Sequence, residues 1–254
     1  MVTATEPRVT IITGGGSGIG RAVALRLAVR NHHVCVCDLN EQGLRETAER
    51  VRSVGGRVET IVLDVRDGAA VERWCSGVAD KFGKIDCLFS NAGVNARAPV
   101  ADMPLESWSL LLDTHVTGTF NFCQAVLRRM VGYRSGAIVI TSSDYAIAGM
   151  PGAANYAAAK TALYALAKSL ALEFAPYGIR VNAIGPGPID TPLIRAGRTQ
   201  MEWEERLCAY ENRLPMKRLG QPEEVACVVD FLLSQRASYI TGQLLQPNGG
   251  QVIW

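Results

Sequence analysis

The sequence predicts an α/β protein in which helices cover both faces of a mostly parallel sheet. Between Val9 and Asn91, short apolar runs rich in β-branched residues alternate four times with segments of helical periodicity. Such alternation with short connections indicates parallel strands joined by right-handed crossovers. The composition agrees with this class, because 48% of the 254 residues are hydrophobic and 20% are charged, which is enough for a sizeable core.

The predicted elements follow from apolar periodicity and from glycine and proline at their ends. Strands are predicted at 9–13, 33–38, 57–63, 85–90, 136–141, 179–184 and 243–246. Helices are predicted at 19–29, 41–54, 67–82, 104–130, 155–175 and 222–233, with a break inside the fourth. The polar and aromatic region of about 190–215 looks like an insertion rather than core. Without repeats or linkers, we expect residues 1–254 to form a single domain.

Charge and cysteine content argue against several function classes. The net charge is +2 and the basic residues are spread along the chain, so we expect no nucleic-acid partner. The seven cysteines and three histidines lack metal-ligand spacing, so we expect no metal, and Cys35 and Cys37 are predicted core residues. The short polar N-terminus lacks the apolar core of a signal peptide, and no apolar run reaches transmembrane length. We therefore expect a cytoplasmic protein with no membrane partner.

A glycine-rich turn follows the first strand, in the run Gly14-Gly-Gly-Ser-Gly-Ile-Gly20. Glycine permits close backbone approaches, and a helix N-terminus at such a turn favours a phosphate. The strict G-x-G-x-x-G spacing is absent, so the turn alone is equally consistent with a tight connection. Asp38 ends the second strand about twenty residues later, where an acid would bind ribose hydroxyls. Asp38 alone fits a helix cap equally well, but together the two features favour a dinucleotide site.

A candidate reacting group lies in the alanine-rich helix after the fifth strand. Tyr156 and Lys160 are four residues apart, which places both on one helix face. A neighbouring ammonium group favours the phenolate, so we expect Lys160 to lower the pKa of Tyr156. Ser143 ends the preceding strand and could hydrogen-bond a substrate oxygen. Taken alone, the Tyr–Lys pair is more often a solvated surface contact, but it shares a sheet edge with the predicted nucleotide site.

Together these motifs resemble the short-chain dehydrogenase/reductase family, in its shorter, single-domain branch. The resemblance spans 9–250 and implies a Rossmann-like, doubly wound three-layer sandwich with strand order 3-2-1-4-5-6-7. It also implies that Ser143, Tyr156 and Lys160 are catalytic. Its motifs include the turn from Thr13 to Gly20 and the segment Asn91-Ala-Gly93. The implied cofactor-binding residues are Gly14, Ser17, Gly18, Ile19, Gly20, Asp38, Leu39, Asp64, Val65, Asn91, Ala92, Gly93, Tyr156, Lys160, Pro186, Gly187, Ile189 and Thr191.

One position departs from the family pattern. His115 stands where relatives carry an asparagine that holds a water in a proton relay. A histidine with a pKa near 6.5 would add a titration to that relay. We slightly favour the simpler interpretation, in which His115 is a buried polar filler and the relay runs through a backbone carbonyl and water.

The resemblance implies an oxidoreductase, and Asp38 favours NAD over NADP, since an acid would repel a 2′-phosphate. Arg45 lies near enough in sequence to offset this preference. We expect a secondary alcohol or ketone substrate, such as a polyol, sugar or hydroxysteroid-like compound. Its walls are expected to be Ser143, Tyr145, Asn95, Arg97, Met150 and the segment of about 190–215, which would cover the substrate. For Asp144 two interpretations remain open: a carboxylate near the site, or an outward-facing turn residue. For Arg195 and Arg198 they are binding of a substrate carboxylate, or solvation.

Two alternatives remain open from the sequence: an NADPH-type 3-oxoacyl or carbonyl reductase, and a non-catalytic NAD-binding scaffold. The former would need a basic patch beside the cleft, which the sequence does not clearly show. Relatives of this length imply a homotetramer, or else a homodimer. Trp254 either packs against a neighbouring subunit or caps its own core.

Overall fold

The computed structural model describes residues 6–253. Its centre is a seven-stranded sheet in the order β3-β2-β1-β4-β5-β6-β7, and all six strand pairs are parallel. The predicted doubly wound fold and its strand order are therefore confirmed. The strands are β1 (Arg8–Thr13), β2 (His32–Asp38), β3 (Arg57–Val62), β4 (Cys87–Ser90), β5 (Gly136–Thr141), β6 (Ile179–Ile184) and β7 (Leu244–Leu245).

Ten α-helices connect and cover the strands of the described chain. They are α1 (Gly18–Ala28), α2 (Glu41–Ser53), α3 (Gly68–Phe82), α4 (Leu105–Leu112), α5 (Gly118–Tyr133), α6 (Tyr145–Ala148), α7 (Ala154–Phe174), α8 (Pro192–Arg195), α9 (Gln200–Arg213) and α10 (Pro222–Leu233). Asn40 and Asp67 cap α2 and α3 through their side chains, which satisfies backbone N–H groups that a helix start leaves free.

A hydrophobic core lies on each face of the sheet, as expected for strands that are buried on both sides. One core packs α3, α5 and α7 against the sheet, with Phe122 and Met130 fully buried. The other packs α1 and α10 against the opposite face, around Phe89. Cys35 and Cys37 are buried in the first core, as predicted.

The segment of 190–219 forms a third, separate cluster. Its buried side chains are Trp203, Tyr210, Leu214 and Leu219. The insertion predicted at about 190–215 is thus two helices, α8 and α9, with a small apolar core of their own. Both helices come after β6 in the chain, at the end of that strand where the candidate site is found.

One local expectation was wrong. The helix predicted at 104–130 does not break, because α4 and α5 are joined by a π-helical turn, Asp113–Thr117, and the helical backbone continues through it. Cys208 and Cys227 are exposed on α9 and α10. Within residues 6–253, no helix is both long enough and apolar enough to span a bilayer. Trp254 and the first five residues lie outside the described chain.

Candidate active site

A cavity of about 460 Å³ opens where β1, β4, β5 and β6 end, which is where ligands bind in open parallel sheets. It brings together side chains from segments far apart in sequence. Of the predicted site residues, it is lined by Gly14, Ser17, Gly18, Ile19, Asp38, Asn91, Gly93, Asn95, His115, Ser143, Tyr145, Tyr156, Lys160, Pro186, Gly187, Ile189 and Thr191.

The glycine turn needs glycine for two separate reasons. Gly14 and Gly18 have positive φ angles of 66° and 50°, which side chains rarely tolerate. At Gly20 the limit is space, since a Cβ there would lie 2.1 Å from the carbonyl oxygen of Gly14. Ser17 begins α1 without a side-chain cap, so the first N–H groups of that helix remain available to a ligand. The turn and the helix therefore form a cradle that fits a phosphate.

Arg21 holds this turn in place. Its guanidinium reaches from α1 to the carbonyl oxygens of Gly16 and Gly43, to the hydroxyl of Thr47 and to Glu46. These contacts tie the turn to α2, so the cradle is formed by the protein itself.

Asp38 both shapes the turn and faces the cavity. Its Oδ2 accepts a hydrogen bond of 2.9 Å from the Gly16 N–H, and its Oδ1 accepts one of 2.9 Å from the Asn40 N–H. The helix-cap interpretation of Asp38 is wrong, because Asn40 caps α2, and the Asp38 carboxylate instead orders the turn and lines the cavity.

The Asn91-Ala-Gly93 segment is fixed to β1. The Thr13 hydroxyl accepts hydrogen bonds from the N–H groups of Asn91 and Ala92, at 2.9 and 3.0 Å. The Asn91 side-chain oxygen accepts a bond of 3.2 Å from the Thr141 hydroxyl at the end of β5. These hydrogen bonds link the ends of β1, β4 and β5 in the floor of the cavity.

Ser143, Tyr156 and Lys160 meet in this floor. Lys160 is buried, its Nζ donates a hydrogen bond of 2.7 Å to the carbonyl oxygen of Thr141, and Nζ lies 5.5 Å from the centroid of the Tyr156 ring. Burial lowers the pKa of Lys160 to about 7. An ammonium group has three donors, so two of them remain for other partners.

The expected direction of the Tyr156 pKa was wrong. Burial raises the pKa of Tyr156 to about 12, although a hydrogen bond with Ser143 acts in the opposite direction. The spacing to Lys160 shows a neighbouring cation but not the desolvation of the phenol, which has the larger effect. Burial therefore favours the protonated phenol.

Asp144 is fully buried, so its interpretation as an outward-facing turn residue was wrong. The Ser143 hydroxyl donates to Asp144 Oδ1 at 3.1 Å and accepts from the Tyr145 N–H at 3.2 Å. Asp144 Oδ2 has no hydrogen-bond partner within residues 6–253. Burial raises the pKa of Asp144 to about 6, against opposing effects of Ser143, the backbone and Arg213. A titrating carboxyl group therefore lies directly beside the predicted catalytic serine.

His115 lies in the π-helical turn between α4 and α5, and its ring packs edge-on to Tyr156 at 5.7 Å between centroids. Its Nε2 is 2.8 Å from the Val94 carbonyl oxygen, while Nδ1 is buried and unpartnered within the described chain. A Cβ on Gly93 would lie 2.3 Å from the ring, so glycine there makes room for the histidine. Burial, then the charge of Lys160, lower the pKa of His115 to about 3. The alternative in which His115 titrates near pH 6.5 is therefore wrong, and the low pKa agrees with the favoured interpretation of a buried, neutral ring.

Several predicted residues lie outside the cavity. Gly20 is packed beneath the turn, and Asp64 at the end of β3 binds Arg66 through both carboxylate oxygens. Met150 lines a neighbouring cavity instead. The predicted residues that do not line the main cavity are Gly20, Leu39, Asp64, Val65, Ala92 and Met150. Tyr210 also lines the cavity, within the segment of about 190–215 that was predicted to cover the substrate, whereas Thr141 lines it and was not predicted.

Comparisons with known proteins agree with this geometry. The family model described as enoyl-(acyl carrier protein) reductase matches residues 14–251. The 3-oxoacyl-(acyl-carrier-protein) reductase of Thermotoga maritima is 38% identical over 248 residues, covering 98% of this chain and 99% of the relative. Levodione reductase of Leifsonia aquatica is 37% identical over 250 residues, covering 96% and 94%.

Solved structures with similar sequences share this fold. The crystal structure of a levodione reductase superposes with a TM-score of 0.91 at 36% identity, covering 97% of this chain and 98% of that one. An NAD+-bound xylitol dehydrogenase superposes with a TM-score of 0.88 at 35% identity, covering 98% and 100%. The fold and the site define a nicotinamide-dependent oxidoreductase. The chain belongs to the short-chain dehydrogenase/reductase family.

Proposed function

We propose that this protein uses NAD(H) to interconvert a secondary alcohol and its ketone. The observation that carries the cofactor choice is the Asp38 carboxylate, which lines the cavity beside the glycine turn. A negative charge there would bind a free 2′-hydroxyl and repel a 2′-phosphate. Arg45, which could have offset this preference, is paired with Glu41 on the exposed side of α2.

The cavity fits the cofactor that the family uses. The cradle of the glycine turn and the uncapped N-terminus of α1 would hold the pyrophosphate, and the segment from Pro186 to Thr191 would contact the nicotinamide end. When bound, nicotinamide supplies the hydride chemistry, and the protein supplies position. The segment of about 190–215 would cover the substrate.

The residues of the cavity floor are proposed to bind the substrate oxygen and to exchange a proton with it. Tyr156 would exchange a proton with the substrate oxygen, and Ser143 would hold that oxygen through its hydroxyl. Lys160 keeps two free donors, which suit the ribose hydroxyls and the phenol. His115 is neutral and held by the backbone, which supports its role as a polar filler.

The experiment for cofactor choice is to measure kcat/KM with NAD and with NADP, in the wild type and in Asp38→Asn. Asparagine keeps an oxygen for the Gly16 N–H but removes the charge. We expect the preference for NAD to fall about tenfold or more, because the repulsion of the 2′-phosphate is lost. Asp80→Asn, at an exposed position on α3, is the control and should leave the ratio unchanged. A wild type that prefers NADP would overturn the proposal.

A second candidate is an NADPH-dependent 3-oxoacyl reductase, which the relative from Thermotoga maritima favours by its name. Comparing acyl thioesters with free alcohols and ketones separates the two. A third candidate, a non-catalytic NAD-binding scaffold, predicts tight NADH binding with no turnover across the whole panel. The presence of Ser143, Tyr156 and Lys160 in one cavity argues against it.

We also propose that the chain acts as one domain within a homotetramer or homodimer. Exposed apolar side chains on α4, α5 and α7, namely Leu105, Phe120 and Leu172, support an interface there. All seven cysteines are free thiols, which supports a reducing, cytoplasmic compartment.

A further inference from the structure

Four arginines lie near one another on the side of the cleft that α9 forms, and one of them, Arg97, lines the main cavity. We call them the arginine collar: Arg97 in the loop after β4, Arg198 between α8 and α9, and Arg206 and Arg213 on α9. The two on α9 are seven residues apart, or about two helical turns, so they lie on one face of that helix.

The collar is organised by two tyrosines. Arg206 donates to the Tyr210 hydroxyl at 3.0 and 3.2 Å, and Arg213 donates to the Tyr145 hydroxyl at 3.3 Å. Both guanidinium groups also lie against the Tyr210 ring, 4.9 and 5.6 Å from its centroid. Aromatic and hydroxyl contacts thus fix the guanidinium groups without neutralising them.

No member of the collar forms an ion pair with another described residue. Neighbouring arginines behave differently, since Arg195 is paired with Asp190 and Arg218 with Glu224. Arg198 donates only to backbone carbonyl oxygens, and Arg97 only to the Asn95 side-chain oxygen. Because Arg195 is paired, it is unavailable to a substrate carboxylate.

The collar charges also act on one another. Burial and then the positive charges of Arg206 and Arg198 lower the pKa of Arg97. These like charges repel one another and create a positive potential at the cleft, although the charge of Arg213 also acts on Asp144 and that of Arg198 on Glu202. An anion that enters this space would relieve the repulsion.

The side chain of Tyr145 lies between the arginine collar and the predicted reacting groups. Tyr145, Tyr210 and Arg97 line the main cavity that contains Ser143 and Tyr156. Tyr145 also lines an adjoining cavity of about 380 Å³, together with Arg206 and Arg213. A small molecule bound at Ser143 could therefore extend past Tyr145 to the guanidinium groups.

We propose that the substrate carries an anionic oxygen group, a carboxylate or a phosphate ester, next to its reacting alcohol or ketone, and that Arg97, Arg206 and Arg213 bind it. This inference rests on the proposed oxidoreductase function. Planar guanidinium groups suit such oxygens because they donate two parallel hydrogen bonds. The buried Asp144 beside Ser143 disfavours an anion at the reacting carbon itself, so the anionic group would lie toward the collar and away from Asp144.

The kinetic test compares each anionic substrate with a neutral partner that lacks the charged group. One pair is 3-oxobutanoate and its methyl ester, and the other is dihydroxyacetone phosphate and dihydroxyacetone. We expect the wild type to prefer the anionic member of at least one pair, and the preferred pair identifies carboxylate or phosphate. Arg206→Gln and Arg213→Gln should each lower kcat/KM for that anion about tenfold or more, mainly through KM. Turnover of the neutral partner should change less than twofold.

Arg73→Gln, an exposed charge change on α3, is the matched control and should alter neither substrate. Equal rates for charged and neutral partners, or equal losses for both in the α9 variants, would overturn the inference. Loss confined to acyl-carrier-protein substrates would also overturn it, in favour of a protein partner.

A binding measurement separates failure of this inference from failure of the proposed function. Calorimetric titration of 3-oxobutanoate and of inorganic phosphate into NAD+-saturated enzyme gives no turnover, because a ketone and NAD+ are both oxidised, and NAD+ would fill the phosphate cradle of the glycine turn. Binding that Arg213→Gln abolishes would support the anion site even if no alcohol or ketone reacts. Binding that is absent, or unchanged in the variant, would refute the site even if neutral ketones react well.

Discussion

Replacing Asp144 by asparagine is expected to stabilise the protein at neutral pH. The carboxyl group is fully buried, with one oxygen bonded to Ser143 and the other unpartnered within residues 6–253. Burial raises its pKa from 3.8 to about 6. At about 1.4 kcal/mol for each pKa unit, the charged form costs the folded state about 3 kcal/mol once both states are ionised. Asparagine keeps an oxygen acceptor for Ser143 and has no charge to bury.

The sign of the pH dependence follows from proton binding. Up to about pH 6 the folded protein keeps the proton on Asp144, whereas the unfolded chain loses it near pH 3.8. This stabilising contribution is fully present below pH 3.8 and is lost as the pH rises through 6. Between about pH 4.5 and 7.5 we expect a loss of about 2 kcal/mol that the asparagine variant does not show.

The assay is thermal unfolding of wild type and Asp144→Asn at three pH values between 4.5 and 7.5, at one protein concentration. The melting temperature of the variant should rise relative to wild type by about 4–8 °C across this range, since 1 kcal/mol corresponds to about 2–4 °C. Asp102→Asn, at an exposed position, controls for the change in net charge. A difference between Asp144→Asn and wild type that is the same at every pH would refute the reasoning.

Three further predictions concern the site. Tyr156→Phe should lower turnover about 10²–10⁴-fold while leaving the NADH dissociation constant within twofold, and an unchanged rate would contradict its assigned role. His115→Asn should retain most activity and the wild-type pH–rate profile from pH 5 to 9, because the pKa of His115 is about 3; loss of an acid limb near pH 6.5 would show otherwise. Gly20→Ala should abolish NADH binding, measured by fluorescence, since its Cβ would lie 2.1 Å from a carbonyl oxygen. Gly77→Ala, in open space on α3, is its control and should stabilise the protein by about 0.5–1 kcal/mol.

Much of the fold could be predicted from local pattern. Buried parallel strands produce continuous apolar runs, and every predicted strand is present within two residues of its expected ends. The glycine turn could be predicted because positive φ angles and close backbone contacts require glycine, which is visible in the sequence. Thr13, Asn91 and Asp38 were found for a related reason, since strand ends in such a sheet converge on one edge.

The missed features depend on three-dimensional surroundings. Whether Asp144 faces solvent or the interior depends on how the segment after β5 packs under α7 and α9. The pKa direction at Tyr156 was wrong because the spacing to Lys160 shows the neighbour but not the desolvation of both groups. The arginine collar spans three segments between Arg97 and Arg213, so no local pattern reveals it.

The separate cluster of Trp203, Tyr210, Leu214 and Leu219 has a consequence for how specificity can diversify. These side chains pack mainly on one another, and Thr199 with Glu202 closes the start of α9 as a capping box. Changes there should combine almost additively with changes in the sheet cores, because the two groups share few contacts. Recombination between relatives could therefore exchange the segment of 192–219, while the predicted dinucleotide-binding residues, which end at Thr191, are kept.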